Sequence, residues 1–292
     1  MPDLANTSVS VEERFLFDLQ GFLILRNVLT PDECAAYLEV LKRLEEQPYE
    51  DKWMEAVGPH RPTRETEQST WPVGKGQLKR HQIRLNGLPR LDIIFDRLID
   101  HPRILPYLVE FVGEQKTQSG AGGSVPPQLI NTWSISKSHD AQPLGWHRGV
   151  PTVDYSYRNG VIRSRMFNVI FFLTDNGPED GCIVALRGSH KSNFDLPWGN
   201  YSGLELPGAA AITGNAGDVF MFSETVIHNG LSKSTRGVRS NLYYNYVHAR
   251  NAVTMVDPTG CHHFYFPPEI RERFTPRQRD LTKWMELFRW EY

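Results

Sequence analysis

The hydrophobic positions of this chain change period near residue 125. Ahead of that point they recur at helical spacing. Val11 to Leu19 carries apolar residues every three or four positions, and Gly21 follows as a stop signal. Phe22 to Leu25 is a short run of strand type. Thr30-Pro31-Asp32-Glu33 supplies an N-cap with proline at the first helical position, which predicts a helix to about Glu46. Residues 48–78 are polar, broken by Pro and Gly and aperiodic, as in a long loop or lid. Leu91 to Ile99 is again helical, Pro102 interrupts, and a short helix is expected from Ile104 to Val112.

From Pro126 the pattern is that of strands and turns. In Leu129 to Ile135, period two puts Leu129, Asn131, Trp133 and Ile135 on one face and Ile130, Thr132 and Ser134 on the other. Phe167 to Leu173 is almost continuously apolar. Asp180-Gly181 marks a turn, Cys182 to Leu186 a strand, and Gly188-Ser189-His190-Lys191 a second turn. Val219 to Phe222 and Ser240 to Val247 read as further strands, and Thr275-Pro276 caps a helix over Arg277 to Trp290. Short strands at this spacing imply a mainly β fold with flanking α, a jelly roll or double-stranded β-helix of cupin-like type. The expectation is one domain over residues 1–292, with a helical part at 1–124 (lid at 48–78), a jelly-roll core at 125–250 and a tail at 251–292.

Composition narrows the function classes. The 292 residues can bury a sizeable core, and a net charge of −2 argues against a nucleic-acid polymer or an anionic membrane as partner. Cys34, Cys182 and Cys261 are odd in number and lack metal-type spacing, so reduced thiols are expected. The first residues lack a basic and apolar leader pattern, and Val169 to Leu173 is too short to span a bilayer. These features suit a cytoplasmic protein acting on a small molecule.

The candidate chemistry lies in Trp146-His147-Arg148-Gly149, read with His228 and Arg239. Together with Gln20-Gly21-Phe22-Leu23-Ile24-Leu25, Leu29-Thr30-Pro31-Asp32-Glu33, Asp180-Gly181-Cys182, Gly188-Ser189-His190-Lys191 and Gly217-Asp218-Val219, this order resembles the phytanoyl-CoA dioxygenase family of Fe(II)/2-oxoglutarate oxygenases. The resemblance covers most of the chain. It implies that His147 and His228 bind Fe(II), that Arg239 pairs with the distal carboxylate of 2-oxoglutarate, and that O2 is the co-oxidant. Families of this fold often carry Ser or Thr two residues after that arginine; here Asn241 stands there. Asn131 is a further candidate for holding the cosubstrate, with a satisfied core amide as the alternative. His190 is expected to hold a turn, and His81, His139, His248 and His262-His263 show no informative spacing.

Gly149 departs from the pattern. The family's hydroxylases have Asp there, while the radical halogenases that the chain resembles have Gly or Ala and place chloride in the vacated position. Losing a carboxylate removes one negative charge beside the metal, which a halide restores, and glycine leaves the volume. That makes Gly149 a catalytic position and predicts chlorination of an unactivated C–H. Two alternatives stand beside it: a hydroxylase in which Glu224, or less well Asp154, supplies the carboxylate, and a non-catalytic jelly-roll binding protein. Lys75, Lys79, Arg80 and Arg84, with Arg158, Arg163 and Arg165, favour an anionic substrate such as a nucleotide-like phosphate, unless they are simply solvated. A carrier-tethered amino acid is the other option. Trp53, Trp71, Tyr155 and Tyr157 could stack on a base or pack the lid.

Overall fold

The computed structural model describes residues 8–46, 81–113, 126–148, 155–194, 196–248, 266 and 268–283. The lid at 48–78, Gly149, Asp154, Lys75 to Arg80, Trp53, Trp71, Cys261, His262-His263 and residues 284–290 of the helix expected over Arg277 to Trp290 lie outside the described residues.

The Thr30 cap forms as the sequence predicts, and the structure adds one at Ser10. Helix α1 (Val11–Gln20) starts at a capping box between Ser10 and Glu13, and α2 (Pro31–Glu45) at one between Thr30 and Glu33. Strand β1 (Phe22–Leu25) follows α1 directly. The turn between them needs glycine: Gly21 has φ +85°, and a Cβ there would lie 2.5 Å from Nδ1 of His190. His190 donates from Nε2 to the Asp18 carbonyl at 3.1 Å, so it locks the end of α1. The stretch read as one helix from Leu91 to Ile99 is two pieces, α3 (Leu88–Leu91) and a 3-10 turn (Ile93–Leu98), because Asp92 is extended and caps the second piece. Helix α4 is Leu105–Phe111.

The strands β2 (Gln82–Asn86), β3 (Gln128–Lys137), β6 (Met166–Phe172), β9 (Val219–Ser223) and β11 (Arg239–Val247) join β1 in a six-stranded antiparallel sheet of order β1-β9-β6-β11-β3-β2. A second sheet has the order β10-β7-β8, from β10 (His228–Gly230), β7 (Ile183–Leu186) and β8 (Ala209–Ile212). Strands β4 (Tyr155–Arg158) and β5 (Val161–Ser164) form a hairpin. This is the jelly-roll architecture expected; its edge strands, β1, read as a strand in the sequence, and β2, which the sequence reading did not give, both lie ahead of residue 125. Helices α5 (Pro268–Arg273) and α6 (Pro276–Leu281) close the described chain, the latter capped by Thr275. Among the described residues no helix is long and apolar enough to cross a membrane.

One face of the large sheet packs on the helices through Phe167, Val169, Phe171, Met221, Leu242, Tyr244 and Tyr246. The other faces the small sheet and carries Ile135, Ile170, Phe172, Phe220, Phe222 and Tyr243. Leu129 departs from the sequence reading: a register shift at Asn245/Tyr246 moves it into the helix-facing core, away from Trp133 and Ile135.

The turn before β9 is fastened to the exit of β1. A Cβ at Gly217 would meet the Leu29 carbonyl oxygen at 2.3 Å, so the chains touch there only with glycine. The buried carboxylate of Asp218 accepts from Arg26 Nη1 (2.6 Å), the Asn27 amide (2.9 Å) and the Asn215 amide (2.8 Å). Burial alone would raise this carboxyl; the donors outweigh it and hold it below the ordinary carboxylate range. A depressed carboxylate contributes stability above its unfolded pKa and loses it as pH falls through the lower folded value. Asp218→Asn is therefore expected to cost about 2 kcal/mol at pH 7, or roughly 5 °C in Tm. The gap to wild type should narrow below about pH 4, as thermal melts across pH will show.

Candidate active site

His228 opens β10, and His147 lies directly opposite it on the neighbouring backbone. The His147 amide donates to the His228 carbonyl at 2.9 Å, and the His228 amide to the His147 carbonyl at 2.8 Å. Direct opposition brings the side chains together, with ring centroids 4.1 Å apart and planes at 53°. Phe222 of β9 meets the His228 ring edge-on at 4.8 Å. Each Nδ1 is committed to a carbonyl two residues back: His147 to Gly145 at 2.8 Å and His228 to Val226 at 2.9 Å. A carbonyl only accepts, so both Nδ1 atoms carry the proton and both Nε2 atoms present a lone pair. Orienting hydrogen bonds of this kind are what metal-binding imidazoles use. Burial lowers the pKa of His228 to about 4, and burial followed by the charge of His228 lowers that of His147. Both rings are neutral at pH 7, the form a metal requires.

The pair lines a cavity of about 190 Å³ that is partly open to solvent. Across it lie two cations. Lys137 ends β3, Arg239 begins β11, and the two are cross-strand partners, 1% and 2% exposed. Arg239 donates from Nη2 to the Gly181 carbonyl at 2.8 Å, and Lys137 from Nζ to the Leu231 carbonyl at 2.9 Å. The Asn241 amide exchanges contacts with Asn176 at 3.1 and 3.2 Å; turned over, its oxygen meets Nη1 of Arg239 at 2.6 Å. Nε of Arg239 is buried without a hydrogen-bond partner. A buried guanidinium with a donor to spare fits a carboxylate at this place. The donor set thus matches Fe(II) and a dicarboxylate: two oriented neutral imidazoles on one wall and a buried cationic end on the other.

Between these ends the wall is aromatic. Trp133 stacks on Tyr243 at 5.3 Å and 10°, and the Arg84 guanidinium lies 4.5 Å over the Trp133 ring. Glu224 and Asn168 also line the cavity. Burial raises the Glu224 carboxyl, against a hydrogen bond from Asn168 and the attraction of His147. Among the described residues no His, Cys, Asp or Glu completes a metal-holding group of three with the histidine pair.

The model of the phytanoyl-CoA dioxygenase (PhyH) family matches residues 17–241, a span that contains His147, His228 and Arg239. The chain belongs to the phytanoyl-CoA dioxygenase family. It is therefore an Fe(II)/2-oxoglutarate-dependent oxygenase by class. Within it, the chain is 23% identical over 282 residues to the ectoine dioxygenase of Stutzerimonas stutzeri (strain A1501), covering 86% of this chain and 81% of that protein. Its fold is similar to HygX from Streptomyces hygroscopicus, solved with nickel, 2-oxoglutarate and hygromycin B bound (TM-score 0.62, 20% identity, 82% of this chain and 88% of that one). It is also similar to the non-heme alpha ketoglutarate dependent carbocyclase SnoK from nogalamycin biosynthesis (TM-score 0.55, 17% identity, 84% and 86%).

The cavity brings together His147, His228, Arg239 and Glu224 of the residues singled out in the sequence. Asn131 does not line the cavity. It sits beside Asn245, six positions along β3 from Lys137, or about 20 Å at the strand rise. A five-carbon diacid held by Arg239 spans less than half of that. The basic cluster fares likewise: Arg84 lines the cavity, whereas Arg158, Arg163 and Arg165 belong to or border the β4–β5 hairpin and do not. Tyr155 is engaged with Asp18 at 2.6 Å, and Tyr157 is exposed. Lys137 escaped the sequence reading, which ended the strand at Ile135. Carrying the period two residues further places it on the pocket face.

Proposed function

We propose that this protein is an Fe(II)/2-oxoglutarate-dependent radical halogenase that chlorinates an unactivated C–H of a small metabolite. His147 and His228 would hold Fe(II) through Nε2, and Arg239 would hold the distal carboxylate of 2-oxoglutarate, with Lys137 beside it. When bound, the iron and its cosubstrate supply the oxidising power to remove a hydrogen atom from an unactivated carbon. The chain's own residues orient and neutralise. The Gly145 and Val226 carbonyls fix the imidazoles, and Arg239 and Lys137 compensate the cosubstrate's charge in a site walled by Trp133, Tyr243 and Ile170. The observation that carries the reading is the opposed, Nδ1-anchored histidine pair followed in sequence by Gly149, a residue with no oxygen to give the metal. Arg84, Lys137 and Arg239 against the single carboxylate of Glu224 favour anions in the cavity.

Hydroxylation is the second reading. Glu224 lines the same cavity and is electrostatically linked to His147, and the similar curated protein named above is a dioxygenase. Gly149→Asp separates the two. In the halogenase the variant keeps the charge-transfer band of the Fe(II)/2-oxoglutarate complex but loses the band's response to chloride. An identical chloride response in variant and wild type would remove Gly149 from the site.

A further inference from the structure

At the end of the sheet away from Arg239, three asparagines form a row across the strands: Asn131 on β3, Asn245 on β11 and Asn168 on β6, each register partner of the next. Asn245 donates from Nδ2 to Oδ1 of Asn168, and Asn168 donates from Nδ2 to Oε2 of Glu224. The carboxylate fixes the direction of this relay. Glu224 only accepts when ionised, so Asn168 must present its NH2 group, which leaves its oxygen facing Asn245, which must present NH2 in turn. Asn245 is wholly buried, and its own oxygen has no partner, so its hydrogen bonding is spent on orienting Asn168. Buried amides committed to one carboxylate in this way hold it in a set place.

The held carboxylate is under-satisfied. An ionised carboxylate has about four lone-pair sites; Glu224 receives one hydrogen bond, from Asn168, among the described residues. It lines the cavity beside His147, Met166 and Asn168. With His147 and His228 it makes no three-residue metal-holding group. The cationic end suits the cosubstrate, so the Glu224 end is left for the molecule being attacked.

We propose that Glu224 is a substrate-binding residue, held by the Asn245–Asn168 relay, that accepts hydrogen bonds from an N–H- or O–H-bearing group of the substrate and so sets which carbon faces the metal. The assignment rests on the reading of the site given above. It makes the substrate a molecule with a donor or cationic group at this end, whatever charge it presents to Arg84.

Guanidinium, a compact ion with paired donors, is the probe. The side-chain amide signal of Asn168 is followed by NMR as guanidinium chloride is added at non-denaturing millimolar concentration. Potassium chloride at equal ionic strength is the control, and the proteins are wild type, Glu224→Gln and Glu224→Asp. The anaerobic Fe(II)/2-oxoglutarate band is recorded on each. The expected result is a saturable shift in wild type that weakens at least about tenfold in Glu224→Gln, survives in part in Glu224→Asp, and leaves the band intact in all three. Equal shifts in wild type and Glu224→Gln, or no saturable shift, overturn the proposal. So does loss of the band in Glu224→Gln alone, which would make Glu224 a metal ligand. A guanidinium response in a wild type that shows no band would instead reject the iron site and leave the acceptor site standing.

Discussion

His228→Ala is expected to abolish Fe(II)-dependent turnover of 2-oxoglutarate, and His147→Ala to do the same. In the proposed site two imidazoles are the protein's whole contribution to metal binding, so losing one leaves a single ligand. A loss of about 4 kcal/mol corresponds to a roughly thousandfold weaker Kd. The fold should tolerate either change. Both residues join the neighbouring strand through backbone hydrogen bonds, which alanine keeps. Far-UV circular dichroism and Tm close to wild type, together with loss of Fe(II) binding by calorimetry, make the expected pair of results. Retained binding and turnover in either variant would sink the site assignment.

Arg239→Ala has the second largest expected effect. The guanidinium is buried beside Lys137 with Nε unpaired. Removing a bidentate, charge-assisted contact should cost about 3 kcal/mol, or a roughly hundredfold rise in KM for 2-oxoglutarate. Arg239→Lys should recover only part of this, because an ammonium cannot make the forked contact. Lys137 already donates to the Leu231 and Gly181 carbonyls, and its ammonium cannot reproduce the forked contact. Steady-state kinetics with saturating Fe(II) give the answer, and an unchanged KM would place the cosubstrate elsewhere.

Much of this arrangement was legible from residue order. The Thr30 cap, the apolar β6 and β9, and the Gly217-Asp218 turn are local features, and local chemistry decides them. His147, His228 and Arg239 could be picked out because they stand in a recognisable family order. What escaped depends on pairing between distant segments. Strand β2 is short and follows an aperiodic stretch, so nothing local announced that Arg84 would lie over Trp133. The side of Leu129 is set by the register shift against β11, which alternation along β3 alone cannot reveal. Asn131 reads as a lone polar residue among bulky ones; its neighbours Asn245 and Asn168 become visible only once three strands are aligned. Glu224 shows the same limit: its place beside His147 comes from the sheet, while its distance along the chain from His228 left its partner undecided.

The measurement that tests the central claim most directly is an anaerobic titration of the purified protein with Fe(II) and 2-oxoglutarate. Visible absorption is recorded in chloride and again in a chloride-free buffer of equal ionic strength. The proposed site predicts a charge-transfer band that saturates at one iron per chain and changes position or intensity with chloride. A band indifferent to chloride would contradict the halogenase and leave a protein carboxylate, Glu224 foremost, to complete the iron. No band at all would contradict the iron site itself.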